Sequence, residues 1–209
     1  MSGYFDRTSK SREILQRAKK MLPGGITYAI RWIDPYPFYV SRADGCRLYD
    51  VDGNVYVDYW CAHFSLILGH RSQVVVEALN EQLERGYHLG VAHENEVKLA
   101  EQVSKMTPSV EMVKFSNSGT EANMYAVRLA RTYTRRSAIV KFEGNWHGGY
   151  DALHTAVRAP LDEAPSGGIT KGATSDTIVM PYNDLETTVR GVRGKEIACI
   201  IVEPVMGAG

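Results

Sequence analysis

The fold of this chain is decided by the segment FSNSGTEAN, residues 115–123, in which a Ser/Gly/Thr turn joins two different patterns. Before the turn, residues 112–115 (MVKF) predict a short strand. After it, apolar side chains recur at helical spacing and predict a helix over residues 120–134. The segment is therefore a strand–turn–helix unit, the building block of a sheet flanked by helices.

The turn itself predicts a ligand site. A helix N-terminus presents free backbone N–H groups, and the helix dipole makes that end attractive to anions. Gly119 lets a ligand approach the backbone, and the hydroxyl groups of Ser118 and Thr120 supply further donors. These features predict a phosphate site. A plain helix cap, formed by Ser118 or Asn117 with Glu121, accounts for the same residues.

A second segment narrows the kind of ligand. The turn contains no lysine, so it is not a nucleoside-triphosphate loop, and the dinucleotide pattern G-x-G-x-x-G is absent there. The segment EGNWHGGYD, residues 143–151, follows a strand predicted over 138–142 and places Trp146 at its carboxyl end. Ligands of open α/β sheets bind at those ends, where an indole can stack on a flat heterocycle. Alternatively, Trp146 packs on its own domain.

Strand and helix patterns alternate through most of the chain, which predicts an α/β fold with a mainly parallel sheet flanked by helices. The N-terminal part differs, because a predicted helix is followed there by a small antiparallel meander with Asp-Gly turns. The helices are predicted over 11–22, 72–86, 94–106 and 185–192, the meander over 38–59, and the further strands over 177–180 and 197–202.

Composition argues against several classes of function. The 209 residues carry 24 Lys plus Arg against 24 Asp plus Glu, without the cationic excess that nucleic acid or an anionic membrane surface requires. No apolar run approaches the roughly 20 residues of a membrane-spanning helix, and the first ten residues lack the apolar core of a secretory signal. We therefore expect a cytoplasmic protein with a small-molecule partner. The three cysteines and six histidines predict neither a disulfide framework nor a metal site.

Five segments carry a resemblance to a known family: SNSGTEA (116–122), FEGNWHG (142–148), LYDVDG (48–53), ILGH (67–70) and IIVEP (200–204). Together they resemble the class III aminotransferases, which are pyridoxal-phosphate enzymes of fold type I. Within that family, LPGG (22–25), Arg31 and YNDL (182–185) are most similar to the glutamate-1-semialdehyde aminomutases. The implied activity is amino-group transfer on a carboxylate-bearing substrate, in tetrapyrrole precursor synthesis.

The resemblance also implies roles for individual residues. Ser118, Gly119 and Thr120 would hold the phosphate of the pyridoxal 5'-phosphate. Trp146 matches the family's stacking aromatic residue, which is usually Tyr or Phe. The remaining cofactor-site residues by resemblance are His147, beside that ring, and Glu203, which matches the Glu-Pro at the end of a central strand.

Three positions by resemblance border the substrate. Arg31 matches an arginine that pairs with a substrate carboxylate, for which its planar fork is suited, although a solvated loop charge explains it as well. His63, with Phe64 after it, stands where the aminomutases carry Trp-Gly, and Tyr28 stands where they carry a small Ser. A related transaminase that acts on another amine or a β-amino acid is therefore an alternative.

The resemblance covers about half of a family member, with residues 1–60 as part of the small domain and 61–209 as the first part of the cofactor-binding large domain. No counterpart exists for the aspartate that pairs with the pyridine nitrogen or for the lysine that holds the cofactor, so no catalytic residue is assigned. We expect the chain alone to be inactive. It is either the N-terminal part of an enzyme that forms homodimers, or a short non-catalytic protein that binds a phosphate ligand.

Overall fold

A computed structural model describes residues 2–161 and 166–207. The chain forms two compact units, which divide between His93 and Glu94 and are called the first and second unit below. The domain boundary expected after residue 60 stays a prediction. Among the described residues, no helix is long and apolar enough to cross a membrane.

The first unit begins with helices and continues into a three-stranded antiparallel meander in the order β1-β2-β3. In the meander Leu48 faces Tyr56, and a bulge interrupts the β1–β2 register between Val40 and Arg42. The predicted meander is confirmed. Its elements are α1 (Ser2–Arg7), α2 (Ser9–Ala18), β1 (Val40–Asp44), β2 (Arg47–Asp50), β3 (Val55–Val57), the short turn α3 (Cys61–Phe64) and α4 (Gln73–Glu84).

Carboxylates hold this unit together. The Asp52 carboxylate, in the β2–β3 turn, accepts hydrogen bonds from the N–H of Lys10 (2.7 Å) and from the N–H and hydroxyl of Ser11 (3.0 and 2.7 Å). Burial acts to raise the pKa of Asp52, but these hydrogen bonds outweigh it and the pKa is lowered. The carboxylate therefore ties the first turn of α2 to the meander.

A second carboxylate closes the meander onto the ILGH segment. His70 exchanges two backbone hydrogen bonds with Gly45, and its Nε2 lies 2.7 Å from Oδ2 of the buried Asp58. The other Asp58 oxygen accepts the N–H groups of Trp60 (2.9 Å) and Cys61 (3.0 Å). Burial acts to raise the pKa of Asp58, while the hydrogen bonds from His70, Cys61 and Trp60 bring it below its ordinary value.

The second unit is built around a parallel sheet in the order β5-β4-β6, with α6 packed against β6. Its core contains Val127 of α6, Ile139 of β4 and Leu153 of the loop that follows β4, all essentially inaccessible to solvent. The mainly parallel, helix-flanked sheet is thereby confirmed. The elements are α5 (Glu94–Met106), α6 (Gly119–Thr134), β4 (Ala138–Phe142), α7 (Lys171–Thr174), β5 (Thr177–Met180), α8 (Leu185–Val192) and β6 (Ile197–Ile200).

Three sequence predictions are corrected by the structure. Residues 112–115 are not a strand, because none of the described strands pairs with them and Met112 is 91% exposed. A strand requires a neighbour to satisfy its backbone groups. The helix predicted over 11–22 begins earlier and ends at Ala18, ahead of the turn at Pro23–Gly25. The last strand stops at Ile200 instead of Val202.

Candidate functional site

The turn at the start of α6 caps the helix and still leaves backbone N–H groups accessible. Ser118 Oγ accepts the N–H of Glu121 at 3.2 Å, and the Glu121 carboxylate accepts the N–H of Asn117, the residue before the N-cap, at 2.7 Å, so the helix is capped. Within the described part of the chain, no acceptor binds the N–H groups of Gly119 and Thr120. A Cβ on Gly119 would meet no described atom within 4 Å. The turn is therefore accessible to a ligand.

The loop after β4 lies directly on this turn. Gly149 donates its N–H to Thr120 Oγ1 at 3.1 Å, and Asn123 of α6 donates its side-chain amide to the carbonyl of His147 at 3.1 Å. Gly148 has a φ of +85°, and a Cβ there would lie 2.2 Å from Thr120 Oγ1. Only glycine allows this approach, so the FEGNWHG segment and the SNSGTEA segment meet because position 148 lacks a side chain.

Trp146 and Glu203 are joined at the carboxyl ends of β4 and β6. The N–H of Trp146 donates to Glu203 Oε2 at 2.9 Å. The indole is 38% exposed and meets the His154 ring edge-on, with ring centres 5.2 Å apart. The backbone of Glu203 is also fixed, because its carbonyl accepts the hydroxyl of Tyr182 at 2.9 Å. The indole is therefore packed on its own unit, as the alternative interpretation had it, and is also partly open.

His147 lies behind this surface with an unsatisfied nitrogen. Its side chain is 5% exposed, and its buried Nε2 has no hydrogen-bond partner among the described residues. Burial and the nearby Lys141 charge lower the pKa of His147, while Glu203 opposes them. A buried polar atom without a partner is costly, and in native proteins it commonly marks a place where another group binds.

Sequence reasoning missed two residues of this site, Lys141 and Asn145. Both side chains are fully buried. The Lys141 ammonium donates to the carbonyl oxygens of Asn145 (3.1 Å) and Thr155, and Asn145 Oδ1 accepts the N–H of Glu203 at 2.7 Å. The signal in the sequence was a lysine within the otherwise apolar strand AIVKF. Lysine is almost never fully buried without partners, so its place in a buried strand indicates that specific groups bind it.

The two predicted substrate residues lie in the first unit. Arg31 is exposed and donates to Thr27 Oγ1 at 3.1 Å. His63 lies in α3, whose four residues all have a φ between +46° and +64°, a left-handed turn made without glycine. Its ring centre is 5.3 Å from that of Tyr28, so two of the three residues expected to depart from the aminomutase pattern lie side by side. Strained backbone of this kind is concentrated at functional sites.

The sequence of this chain matches the family model for class III aminotransferases over residues 28–209. The chain belongs to the class III aminotransferase family. The match contains both segments that form the site of the second unit, the α6 turn and the loop after β4. Among the described residues, no group of three or more His, Cys, Asp or Glu side chains is placed to hold a metal ion.

Individual members of the family agree with this assignment. The chain is 48% identical to the glutamate-1-semialdehyde 2,1-aminomutase of Methanopyrus kandleri, over 98% of this chain and 49% of that protein. A solved transaminase with PLP bound superposes with a TM-score of 0.90 at 35% identity, over 95% of this chain and 48% of the other. A β-phenylalanine aminotransferase from Variovorax paradoxus gives 0.85 at 30% identity, over 99% and 46%. The chain therefore spans about half the length of the relatives it matches.

Proposed function

We propose that this chain is the N-terminal half of a pyridoxal-phosphate enzyme that moves an amino group, and specifically an aminomutase acting on glutamate 1-semialdehyde. The observation that carries the proposal is the contact between an open helix N-terminus and the loop that carries Trp146 and His147, whose buried Nε2 has no partner among the described residues. The 48% identity to an aminomutase supports the choice of reaction.

The residues of the second unit fit the phosphate end of the cofactor. The N–H groups of Gly119 and Thr120 have no acceptor among the described residues, and the helix dipole of α6 favours a dianion there. Ser118 Oγ accepts one hydrogen bond and can still donate its own hydrogen. Ser118, Gly119 and Thr120 would therefore hold the phosphate, with no cationic side chain in the turn.

The same surface suits the ring of the cofactor. Trp146 would lie against the ring, its backbone anchored by Glu203, while His147 would offer its buried Nε2 to a partner beside it. Because its pKa is lowered, His147 is neutral at physiological pH and can donate or accept one hydrogen bond there. When bound, pyridoxal phosphate supplies an aldehyde that takes up amino groups and a ring that withdraws electrons.

Substrate recognition is proposed for the first unit. The Arg31 guanidinium has one hydrogen bond to Thr27 and would pair with the substrate carboxylate in the bidentate manner that suits a planar fork. His63 would border the substrate from the left-handed turn α3. Neither residue transfers a proton in this proposal, and their role is to bind and orient.

Binding of the cofactor is tested with the full-length protein expressed from its gene. Equilibrium dialysis compares pyridoxal 5'-phosphate with pyridoxal, which lacks the phosphate. We expect the phosphorylated form to bind at least about tenfold more tightly, and T120A to reduce that preference, since each charge-assisted hydrogen bond contributes about 1.5–3 kcal/mol. Lys195→Ala, an exposed lysine of the same unit, is the control. Equal binding of the two forms would refute the phosphate site.

A second candidate is a transaminase that acts on another amine or a β-amino acid. It is favoured by the contact between the Tyr28 and His63 rings at positions where the aminomutases carry different residues, and by the similarity to a β-phenylalanine aminotransferase. The two reactions differ in stoichiometry. An aminomutase consumes glutamate 1-semialdehyde without an added amino acceptor, whereas a transaminase requires a second keto or aldehyde substrate. Phosphate-selective binding without either reaction would instead support the short, non-catalytic binding protein.

We also propose a homodimer in the cytoplasm, as the family resemblance implies. Sedimentation equilibrium of the gene product, with and without pyridoxal phosphate, measures the assembly. A mass of one chain at micromolar concentration in both conditions would contradict the dimer.

A further inference from the structure

Lys141 is the most deeply buried charged side chain in the described part of the second unit, with no solvent-accessible area. It lies in β4 between Val140 and Phe142, in a strand that is otherwise apolar. Its ammonium does not form a direct ion pair in the described structure. Instead, it donates to the backbone carbonyl oxygens of Asn145 and Thr155. A buried ammonium bound to two carbonyls is costly, which asks for an explanation beyond packing.

The two carbonyls belong to the two halves of the loop that follows β4. Asn145 precedes Trp146 and His147, and Thr155 follows His154, the residue whose ring meets the indole. Asn145 is itself a hub, because its Oδ1 accepts the N–H of Glu203, whose carboxylate in turn accepts the N–H of Trp146. The ammonium therefore closes a chain of contacts that runs from Lys141 through Asn145 and Glu203 to Trp146.

We propose that Lys141 is a positioning residue: its ammonium clamps the carbonyls of Asn145 and Thr155 and thereby orients Trp146 and His147 at the site. A backbone hydrogen bond from the N–H of Gly144 to the carbonyl of Ala156 (2.9 Å) also joins these two halves of the loop. Removing Lys141 therefore loosens the loop at the Trp146 end without detaching it. The inference rests on the proposed function only for the use made of the positioned indole.

The charge of Lys141 has a second consequence. The groups that interact electrostatically with His147 are Lys141, which disfavours the imidazolium, and Glu203, which favours it. Burial, Lys141 and Arg158 likewise lower the pKa of His154, whose ring meets the indole, while Asp151 opposes them. Burial lowers the pKa of Lys141 to about 8, against a weaker opposing effect of Glu203. At pH 7 the ammonium is charged and helps to keep His147 neutral.

The experiment compares K141M with wild type in the gene product as the cell makes it, with 5-fluorotryptophan and ¹³C-labelled histidine followed by NMR. Methionine keeps the length and apolar stem but removes the charge and the donors. We expect the Trp146 fluorine resonance, assigned by W146F, to shift and broaden in K141M, and the pKa of His147 to rise. K141R retains charge and donors and should restore the His147 pKa. K195M, at an exposed lysine, should leave both signals unchanged.

A measurement on the wild type keeps the proposal testable if K141M fails to fold. Between pH 7 and 9.5 the Lys141 ammonium loses its proton, so the Trp146 resonance should show a step with a midpoint near the Lys141 pKa of about 8. A Trp146 resonance without that step would overturn the proposal. A folded K141M chain with unchanged Trp146 and His147 signals would overturn it too.

These readouts need no cofactor, so they separate this inference from the proposed function. Pyridoxal phosphate affinity is measured afterwards, and K141M should weaken it about tenfold, because small misplacements of positioning groups commonly cost one to two orders of magnitude. Normal NMR shifts in K141M with normal affinity would refute the positioning role. Failure of the wild type to bind pyridoxal phosphate would refute the proposed function and leave the Lys141 clamp intact.

Discussion

In the first unit, both oxygens of the buried Asp50 and Asp58 carboxylates accept hydrogen bonds, whereas in the second unit the buried Nε2 of His147 has no partner within residues 2–161 and 166–207. The Asp50 carboxylate accepts four hydrogen bonds, from the N–H groups of Asp52 and Asn54, the Asn54 side-chain amide and the Tyr56 hydroxyl. Polar groups that are fully paired stabilise a fold, and a buried polar atom without a partner asks for an explanation such as a group that binds there. The carboxylates of the first unit therefore belong to a structural cluster, and His147 of the second unit to a candidate binding site.

The largest expected effect concerns the paired cluster. Asp58→Ala removes the acceptor of the His70 ring and of two backbone N–H groups, and should lower the free energy of unfolding by about 3 kcal/mol. Asp44→Asn is the matched control, because the exposed Asp44 lies 3.7 Å from Arg71 and should contribute less than about 1 kcal/mol. Urea unfolding measures both. Equal losses in the two variants would mean that pairing in the first unit does not carry its stability.

A smaller effect is expected where the loop crosses the α6 turn. Gly148→Ala places a Cβ 2.2 Å from Thr120 Oγ1 at a positive φ and should cost about 2 kcal/mol of stability, with loss of pyridoxal phosphate binding. Gly149→Ala is its control, since a Cβ there meets no described atom within 4 Å. Thermal unfolding and dialysis test the pair. If G148A bound the cofactor normally, the contact would not be needed for the site.

The buried lysine makes a prediction about pH. Folding lowers the Lys141 pKa to about 8 from an ordinary value of 10.5, so between these values the unfolded chain binds more protons than the folded one. Its contribution to the free energy of unfolding therefore rises with pH, by about 2 kcal/mol from pH 8 to pH 10. The free energy of unfolding of the wild type should therefore rise relative to that of K141M over that range. Relative to that of K195M it should not change with pH. A constant wild-type–K141M difference would contradict the lowered pKa.

The smallest expected effect compares two helix caps in the second unit. Ser118 caps α6 by accepting the N–H of Glu121, and Asp184 caps α8 by accepting the N–H of Thr187 at 2.9 Å. S118A should cost about 1 kcal/mol of stability, and D184A should also destabilise the chain. Only S118A should weaken pyridoxal phosphate binding, because only α6 opens into the site. Equal effects on binding would show that Ser118 is a cap and nothing more.

Local pattern was enough for most of the elements. The Asp-Gly turns gave the meander, and the Ser/Gly/Thr turn gave the start of α6 to within one residue. The strand expected over 112–115 was wrong because a strand depends on a neighbour, which an apolar run of four residues does not reveal. The roles assigned to the site residues by resemblance remain predictions, although the structure brings the six of the second unit to one place.

The amino-acid sequence by itself determined the family, the helix–strand order and the Ser/Gly/Thr turn that opens α6, because these depend on side-chain periodicity and on short motifs along the chain. Only the tertiary structure decided that Lys141 and Asn145 belong to the site, that Gly148 must lack a side chain, and that His147 Nε2 is left without a described partner. The physical reason is that burial and hydrogen-bond satisfaction arise between segments distant in sequence. They exist only once the chain has folded.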